Sequence, residues 1–265
     1  MLIKDCLFLI LFIFIKDLFN FLAMDYKEFE LIYKKEDTHW WYVGMLSIMR
    51  TLIEFFYNKS SNLRILDAGC GTGGVFKLLS EYGHIIGMDI SEYAIYFSQK
   101  RGHKNLIRGS VIEMPFKDRS FNLITAFDLL YYEHIDDEQA LEEIFRILTS
   151  DGRLILRVPA YNWLRGIHDI KVSTGHRYTL KELKFKLIKT GFIVEFISYI
   201  NTILFPFIAL KRISEKIFLK QKTSDLAIDF KGLNGIFKKI LCFEAYMIKK
   251  ISLPFGLSIV AVGRK

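Results

Sequence analysis

The chain has 265 residues, of which 51% are apolar, enough for one α/β domain with an insertion or for two small domains. Its three cysteines, Cys6, Cys70 and Cys242, are odd in number and far apart, so a disulfide framework and a zinc-ligand spacing are excluded and a reducing compartment is expected. The net charge of +8 arises in residues 201–265, which carry 12 basic and 4 acidic side chains and are strongly apolar, a combination that favours an anionic membrane surface over nucleic acid.

The first 23 residues contain an apolar run whose role must be considered separately. They are apolar over 6–15, but Lys16 and Asp17 interrupt the run before it reaches the roughly 20 residues of a spanning helix. No convincing small-residue cleavage site follows, and a more ordinary protein start begins at Met24. Residues 1–23 are therefore interpreted first as an extension outside the working protein, then as a membrane anchor, and last as a buried core helix.

Strands and helices alternate through most of the remaining chain. Residues 24–62 form a predicted N-terminal helical segment, because apolar side chains recur at helical spacing over 28–57. Strands are predicted at 64–68, 84–90, 105–108, 121–127, 153–159, 192–200 and 257–264, and helices at 75–82, 91–101, 137–148 and 180–190. This order predicts an α/β fold with a doubly wound, mostly parallel sheet of seven strands.

The alternation stops at residues 201–254, an insertion between the core (63–200) and its final strand (255–265). Two helices are predicted there, over 203–220 and 235–252. Apolar side chains line one face of the first, and lysines and an arginine line the other. Residues 203–252 either lie in the headgroup region of a membrane or pack over the sheet edge with solvated lysines.

A glycine-rich loop follows the first predicted strand in LRILDAGCGTGG, residues 63–74. Gly69, Gly71 and Gly73 permit a tight turn and a close approach of ligand at the carboxyl end of a parallel strand. Their spacing also matches the dinucleotide fingerprint, so the glycines alone do not identify the ligand. Asp89 ends the second strand, where a carboxylate can accept hydrogen bonds from both ribose hydroxyls.

Asp67 distinguishes between the possible ligands. A carboxylate beside the loop repels a pyrophosphate and attracts an ammonium group. We therefore expect a cofactor with adenosine at one end and an amino acid at the other, which is S-adenosylmethionine. Two alternatives stay open: Asp67 only caps the next helix, or the glycines hold a nicotinamide dinucleotide.

Four segments resemble successive motifs of the class I S-adenosylmethionine-dependent methyltransferases: ILDAGCGTGG, GMDIS, GSVIEMPFKDRSFNLITAFDLLYYEH and ILTSDGRLILRVP. They are similar to the branch that modifies small molecules, of the methyltransferase type 11 kind, over about residues 63–200. The resemblance implies these cofactor contacts: the methionine moiety at Asp67, Gly69, Gly71 and Asp128, the ribose at Asp89, and the adenine at Met88, Ile90, Ser110 and Val111. Ser110 stands where such proteins often carry an aspartate.

Candidate general bases follow the fourth and fifth strands. His134 follows the fourth strand, and His168, His176 and Tyr178 lie in the polar segment after the fifth. A histidine titrates near neutral pH and suits the removal of a proton from an acceptor. His134 could instead order its loop, and Trp40 and Trp41 either close over the cofactor or pack the N-terminal helix. No metal-ligand spacing is present.

The predicted function is that of an S-adenosylmethionine-dependent methyltransferase acting on a small, lipid-linked or amphipathic acceptor. The alternatives are a methyltransferase of a soluble metabolite and an inactive, membrane-associated cofactor-binding module. We expect a cytoplasmic protein with peripheral contact to the inner membrane face through 203–252, and no nucleic-acid partner. The acceptor atom, the pathway and the oligomeric state are not indicated by the sequence.

Overall fold

The computed structural model describes residues 26–265 except 60, 167–168, 170–172 and 219–231. The expectations for residues 1–23 and for His168 fall outside this part of the chain. The helices are α1 (Tyr26–Lys35), α2 (Trp40–Phe56), α3 (Phe76–Leu79), α4 (Glu92–Lys100), α5 (Asp137–Ile147), α6 (Leu180–Thr190), α7 (Phe205–Phe218) and α8 (Asn234–Met247). The strands are β1 (Leu63–Ala68), β2 (Gly83–Asp89), β3 (Leu106–Arg108), β4 (Phe121–Phe127), β5 (Leu148–Pro159), β6 (Ile193–Ile200) and β7 (Ser258–Arg264).

The strands form one seven-stranded sheet in the order β3-β2-β1-β4-β5-β7-β6. The β1, β2, β3, β4 and β5 strands pair in parallel, while β7 runs antiparallel between β5 and β6. The α/β fold with a mostly parallel, seven-stranded sheet is thereby confirmed. The order in which successive strands are added reverses between β1 and β4, so the carboxyl ends of these two parallel strands border the crevice where such sheets bind ligands.

The N-terminal helical segment divides into two helices instead of continuing through 28–57. Its turn carries polar residues, and the His39 side chain accepts a hydrogen bond from Trp41 N (3.3 Å), capping α2. Asn234 Oδ1 accepts another from Trp40 N (2.8 Å), although the two residues are distant in sequence. The first two free amide groups of α2 therefore have partners, which favours the start of the helix at Trp40.

Apolar cores cover both faces of the sheet. Leu154, Leu156 and Val158 of β5 face a core that includes residues of α5 and α6. Ile155, on the same strand, faces a second core that includes residues of α2 and α8. Alternate side chains of a strand point to opposite faces, so β5 is buried on both sides and holds the centre of the domain.

The α8 helix of the insertion packs directly on α2. A Cβ atom on Gly44 would lie 2.3 Å from Leu241 Cδ1, so only glycine permits this approach. Buried Glu244 accepts hydrogen bonds from the backbone amides of Asn201, Thr202 and Ile203. One face of α8 therefore belongs to the core, as the packing alternative anticipated. In the part of the chain that is described, helices lack the combination of length and apolar character needed to cross a membrane.

Candidate functional site

The glycine loop turns directly after β1. Gly69, Gly71 and Gly73 have φ values of 71°, 52° and 80°, the left-handed region that glycine adopts without steric cost. No atom of the described residues lies within 4 Å of a Cβ built on Gly71, so the loop is open there. A Cβ on Gly73 would instead meet His103 and Ser98 at 2.6 Å. Gly71 thus offers access to a ligand, whereas Gly73 serves internal packing.

Asp89 connects this loop to the end of β2. Its Oδ2 accepts from Gly71 N at 3.0 Å, and its Oδ1 accepts from Ser91 N at 2.9 Å. Each carboxylate oxygen keeps a second lone pair for a further donor. The neighbouring Ile90 side chain is 46% exposed, so an apolar surface borders the carboxylate. This pairing suits a ribose with a planar base beside it.

Ser110 and Val111 follow β3 and border the same end of the sheet. The Ser110 hydroxyl accepts from Ile112 N at 3.5 Å, and its backbone pairs with Glu113 in a small bridge. The Val111 side chain is buried in the core together with Met88. The hydroxyl of Ser110 therefore orders the turn, and contact of this segment with the adenine edge stays a prediction.

Asp67 lies beneath the loop. Its side chain is 2% exposed, and Thr125 of β4 donates a hydrogen bond to its Oδ1 at 2.7 Å. Burial, together with the neighbouring carboxylates Glu36 and Asp89, raises the pKa of Asp67 to about 7. The sequence analysis predicted that Asp67 favours a cationic ligand and lines the methionine moiety of the cofactor, and both stay predictions for a carboxylate at this depth.

Glu36 is a site residue that the sequence analysis missed. It follows α1, and its carboxylate accepts a hydrogen bond from the Thr72 hydroxyl in the glycine loop. Arg101 Nη2 lies 3.2 Å from the same carboxylate, and burial raises the pKa of Glu36. The contact joins residues 36 positions apart, so no local motif could reveal it.

A second pair of charged residues lies across the crevice, at the ends of β4 and β5. Asp128 has a left-handed φ of 53° and directly follows β4. Arg157 donates from Nε to Asp128 Oδ1 at 3.0 Å and from Nη2 to Oδ2, which forms a two-pronged ion pair. Asp128 was expected at this end of the site; Arg157 was not, since one arginine in an apolar strand carries no motif.

The charges fit the predicted cofactor. Glu36 and Asp89 both raise the pKa of Asp67, so the three carboxylates lie within range of mutual repulsion. A positively charged ligand relieves this repulsion, whereas a diphosphate adds to it. Together with the open position at Gly71, the residues present fit an adenosine cofactor with a cationic end.

His134 lies in the loop between β4 and α5, on the border of the crevice. Its ring is 5.6 Å from that of Tyr132, which stacks on Tyr131 at 4.6 Å. Although one side of His134 faces solvent, desolvation by its neighbours lowers its pKa. The ring is therefore mainly neutral at pH 7, the state that a general base needs.

The other candidate bases hold structural contacts. Tyr178 is 1% exposed, and its hydroxyl lies 2.6 Å from Asp137 Oδ2. His176 Nε2 lies 2.7 Å from Glu182 Oε1, in the capping box that starts α6. The Tyr178 hydroxyl is thus held in the core, whereas the His176 side chain remains 39% exposed, and a catalytic role for either residue stays a prediction. Among the described residues, no group of three or more histidine, cysteine or acidic side chains could hold a metal ion.

Comparison with known families finds a methyltransferase domain at residues 66–156. A demethylmenaquinone methyltransferase of Lactiplantibacillus plantarum is 34% identical over 108 residues, which cover 36% of this chain and 45% of that protein. A ubiquinone/menaquinone biosynthesis C-methyltransferase of Bartonella quintana is 33% identical over 107 residues, covering 36% and 40%. The chain spans about half the length, or less, of the curated relatives it matches.

Solved structures share the fold at low identity. A Haloferax volcanii methyltransferase in complex with the Trm112 activator aligns over 91% of this chain and 96% of its own, with a TM-score of 0.58 and 18% identity. Haemonchus contortus phosphoethanolamine N-methyltransferase 2, in complex with S-adenosylhomocysteine, aligns over 82% of this chain and 52% of its own, with a TM-score of 0.54 and 20% identity. The chain thus contains a methyltransferase domain of the class I type, which confirms the family and the cofactor, S-adenosylmethionine, predicted from its motifs.

Proposed function

We propose that this protein transfers a methyl group from S-adenosylmethionine to a small, lipid-linked or amphipathic acceptor. The observation that carries the proposal is the arrangement at the ends of β1 and β2. There Asp89 holds Gly71 N, Gly71 is open to a ligand, and exposed Ile90 lies alongside. The methyltransferase domain match covers these residues.

The cofactor's nucleoside is assigned to the β1–β2 side. Asp89 accepts the ribose hydroxyls, Ile90 packs against the adenine, and Ser110 with Val111 borders its edge. Gly69 and Gly71 let the backbone approach, and Asp67 favours the positive charge from below. Gly73 supports the turn by packing instead of by contact.

The acceptor's chemistry is assigned to the loop after β4. S-adenosylmethionine supplies a methyl group that a sulfonium has already activated, so alignment of the acceptor provides much of the rate. For a hydroxyl or phenol acceptor, neutral His134 would take the proton as the acceptor oxygen bonds to the methyl carbon and the methyl–sulfur bond breaks, which releases S-adenosylhomocysteine. The adjoining Tyr131 and Tyr132 rings give an amphipathic acceptor a flat apolar surface.

The outer face of the insertion favours a lipid-linked or amphipathic acceptor. Phe207 and Leu210 on α7 are 70% and 67% exposed, and Ile236 and Phe243 on α8 are 53% and 56% exposed. Lys211, Lys238 and Lys239 lie on the same helices. Apolar side chains with lysines around them suit an anionic membrane surface. Relatives named for quinone methylation agree with such acceptors.

The activity test uses S-adenosylmethionine labelled in its methyl group, purified protein, and the organic and aqueous fractions of a cell extract. We expect label in the organic fraction, and its loss in the Asp89→Ala variant. Label in the aqueous fraction would support the soluble-metabolite alternative. Cofactor binding without label in either fraction would identify an inactive binding module.

Membrane contact is tested by sedimentation with anionic and neutral vesicles. Leu210→Ser and Phe207→Ser should reduce binding to anionic vesicles, because they remove apolar area from the outer face of α7. Phe185→Ser is the matched control, since Phe185 is 66% exposed on α6, outside the insertion. Equal losses in all three variants, or none, would reject a membrane-binding face on the insertion.

A further inference from the structure

Aromatic side chains gather beyond the edge of the sheet where β5 and β6 end and β7 begins. Pro159 of β5 and Ile200 of β6 both pair with Ser258, the first residue of β7, so three segments of the chain leave this edge side by side. Because β1, β4 and β5 are parallel, the crevice lies at the same edge. The four side chains that these segments carry are named the aromatic cluster: Tyr161, Trp163, Phe205 and Phe255.

Phe205, the first residue of α7, lies at the centre of the aromatic cluster. Its ring centre is 5.9 Å from that of Tyr161, 6.1 Å from that of Trp163 and 5.4 Å from that of Phe255. The side chains of Trp163 and Phe255 are 45% and 40% exposed. The cluster is therefore an apolar surface that a ligand can reach from outside.

Tyr161 holds a backbone conformation that aromatic residues rarely adopt. Its φ is 58° and its ψ is 111°, and a positive φ is a genuine outlier for a bulky residue. Its N–H donates to Tyr178 O at 2.9 Å, and its ring stacks on that of Tyr199 at 5.2 Å. Such strain persists only where surrounding contacts enforce it, and it concentrates at functional sites. The strain favours a binding role for the cluster over a purely structural one.

Residues 174–178 connect the aromatic cluster with the loop after β4, to which the acceptor is assigned. On one side, Tyr131 O in that loop accepts from Gly175 N at 2.8 Å. On the other side, Asn162 Oδ1 accepts from Arg177 N at 2.9 Å, and Asn162 stands between two members of the cluster. The cluster is thus separated from the acceptor's loop by one segment of chain.

Two arginines adjoin the aromatic cluster, and both already have partners. Arg165 donates to Thr174 O, and Arg177 donates to Asp169 Oδ1 at 2.8 Å and to Ala160 O at 3.1 Å. A charged ligand group placed on the ring faces would lose water without gaining a partner, which is unfavourable. A hydrocarbon chain is stabilised by leaving water at the same place. The surface therefore fits the apolar part of a ligand.

We propose that the aromatic cluster is the subsite for a hydrocarbon tail of the methyl acceptor. The reacting head of the acceptor lies at the loop that carries His134, and its tail lies across Trp163, Phe205 and Phe255. The tail then points towards α7, the helix whose outer face is assigned to the membrane. This inference rests on the proposed function, and it narrows the substrate class to acceptors that carry an apolar chain.

The test is a fluorescence titration with two probes: dansyl decylamide, and dansyl amide, which is the same dye without the chain. Wild-type protein should bind the chain probe at least about ten-fold more tightly, because its chain leaves water on the ring faces. Trp163→Ser and Phe255→Ser should each reduce this preference by about three- to ten-fold, since each removes part of the surface. Their affinity for S-adenosylhomocysteine should stay within about twofold of wild type.

Phe185→Ser is the matched control, because Phe185 is an aromatic residue with 66% exposure on α6, and this variant should keep the chain preference. Leu210→Ser separates the subsite from the membrane-binding face. It should lose vesicle binding and keep the chain preference, whereas Trp163→Ser should do the reverse. Thermal melting checks folding, and Phe255→Ser carries the test if Trp163→Ser does not fold.

The absence of a chain preference in wild type, an equal loss in Phe185→Ser, or an unchanged preference in both cluster variants would overturn the subsite. In the labelled-methyl assay, Trp163→Ser should raise KM for the acceptor in the organic fraction and leave kcat at saturation unchanged. A wild-type KM would also overturn the subsite. Chain binding by a protein that labels neither fraction would instead overturn the proposed function, and with it the assignment of the tail to a methyl acceptor.

Discussion

The two sides of the crevice are built from different kinds of contact. On the β1–β2 side, Asp67, the glycines and Asp89 lie within 23 residues of sequence, and adjacent parallel strands bring them together. On the β4–β5 side, Asp128 pairs with Arg157, 29 residues later, and Tyr42 arrives from α2. The β1–β2 side follows from a local motif, whereas the β4–β5 side depends on packing between distant parts of the chain.

The largest expected effect is on His134, which tests the β4–β5 side. His134→Asn should lower kcat by about a hundred-fold, the low end for loss of a general base. Its affinity for S-adenosylhomocysteine should stay unchanged, because the ring lies outside the nucleoside side. Steady-state kinetics with the labelled organic fraction measure kcat.

His84→Asn is the control for that variant, since His84 is exposed near the start of β2. If His134→Asn kept the wild-type kcat, His134 would not act as a general base, and its role would be to order its loop.

Asp89→Ala tests the β1–β2 side. It should weaken S-adenosylhomocysteine by about 1–3 kcal/mol, because the ribose loses charged hydrogen bonds and Gly71 N loses its acceptor. Calorimetry measures the change, with exposed Asp118→Ala as the control variant. Undiminished affinity would place the ribose elsewhere.

Asp67 makes both the stability of the protein and its affinity for the cofactor depend on pH. Its pKa of about 7 lies above that of an unfolded aspartate, so the unliganded native state binds this proton more tightly than the unfolded state does. The contribution of Asp67 to stability is therefore greatest below the unfolded pKa and falls as pH rises towards 7. A cationic ligand favours the ionised carboxylate, so S-adenosylmethionine affinity should rise with pH between about 5 and 7.

Asp67→Asn should flatten both pH profiles, as measured by urea unfolding and by calorimetry across that range. The neutral ligand 5′-methylthioadenosine serves as the control and should bind with little pH dependence through Asp67. An equally steep rise in the Asp67→Asn variant would shift the assignment to Glu36 or Asp89, whose pKa values burial also raises.

The smallest expected effect is on Tyr178. Tyr178→Phe should lower the free energy of unfolding by about 1 kcal/mol, through loss of the hydrogen bond to Asp137, and leave kcat unchanged. Urea unfolding and kinetics measure the two quantities, and Tyr96→Phe, at an exposed position, is the control. A large loss of kcat at full stability would return Tyr178 to the catalytic candidates.

The elements were predictable where the pattern was local and strong. The α6 helix has the predicted bounds, 180–190, and β4 has the predicted bounds of its apolar run, 121–127. The predicted N-terminal helix was too long, because the turn before Trp40 is set partly by Asn234, far along the chain. The hydrophobic periodicity of residues 28–57 carries no information about the hydrogen bond between Trp40 and Asn234.

By itself, the sequence determined the parallel sheet, the glycine turn after β1 and the carboxylate at the end of β2, because hydrophobic periodicity and glycine's access to positive φ act over a few residues. Only the tertiary structure decided that Asp67 is buried, that Glu36 reaches Thr72, and that Arg157 joins Asp128 with one donor left over. Burial and ion pairing depend on which residues, distant in sequence, are brought into contact, and the packing of the helices on the sheet determines those contacts.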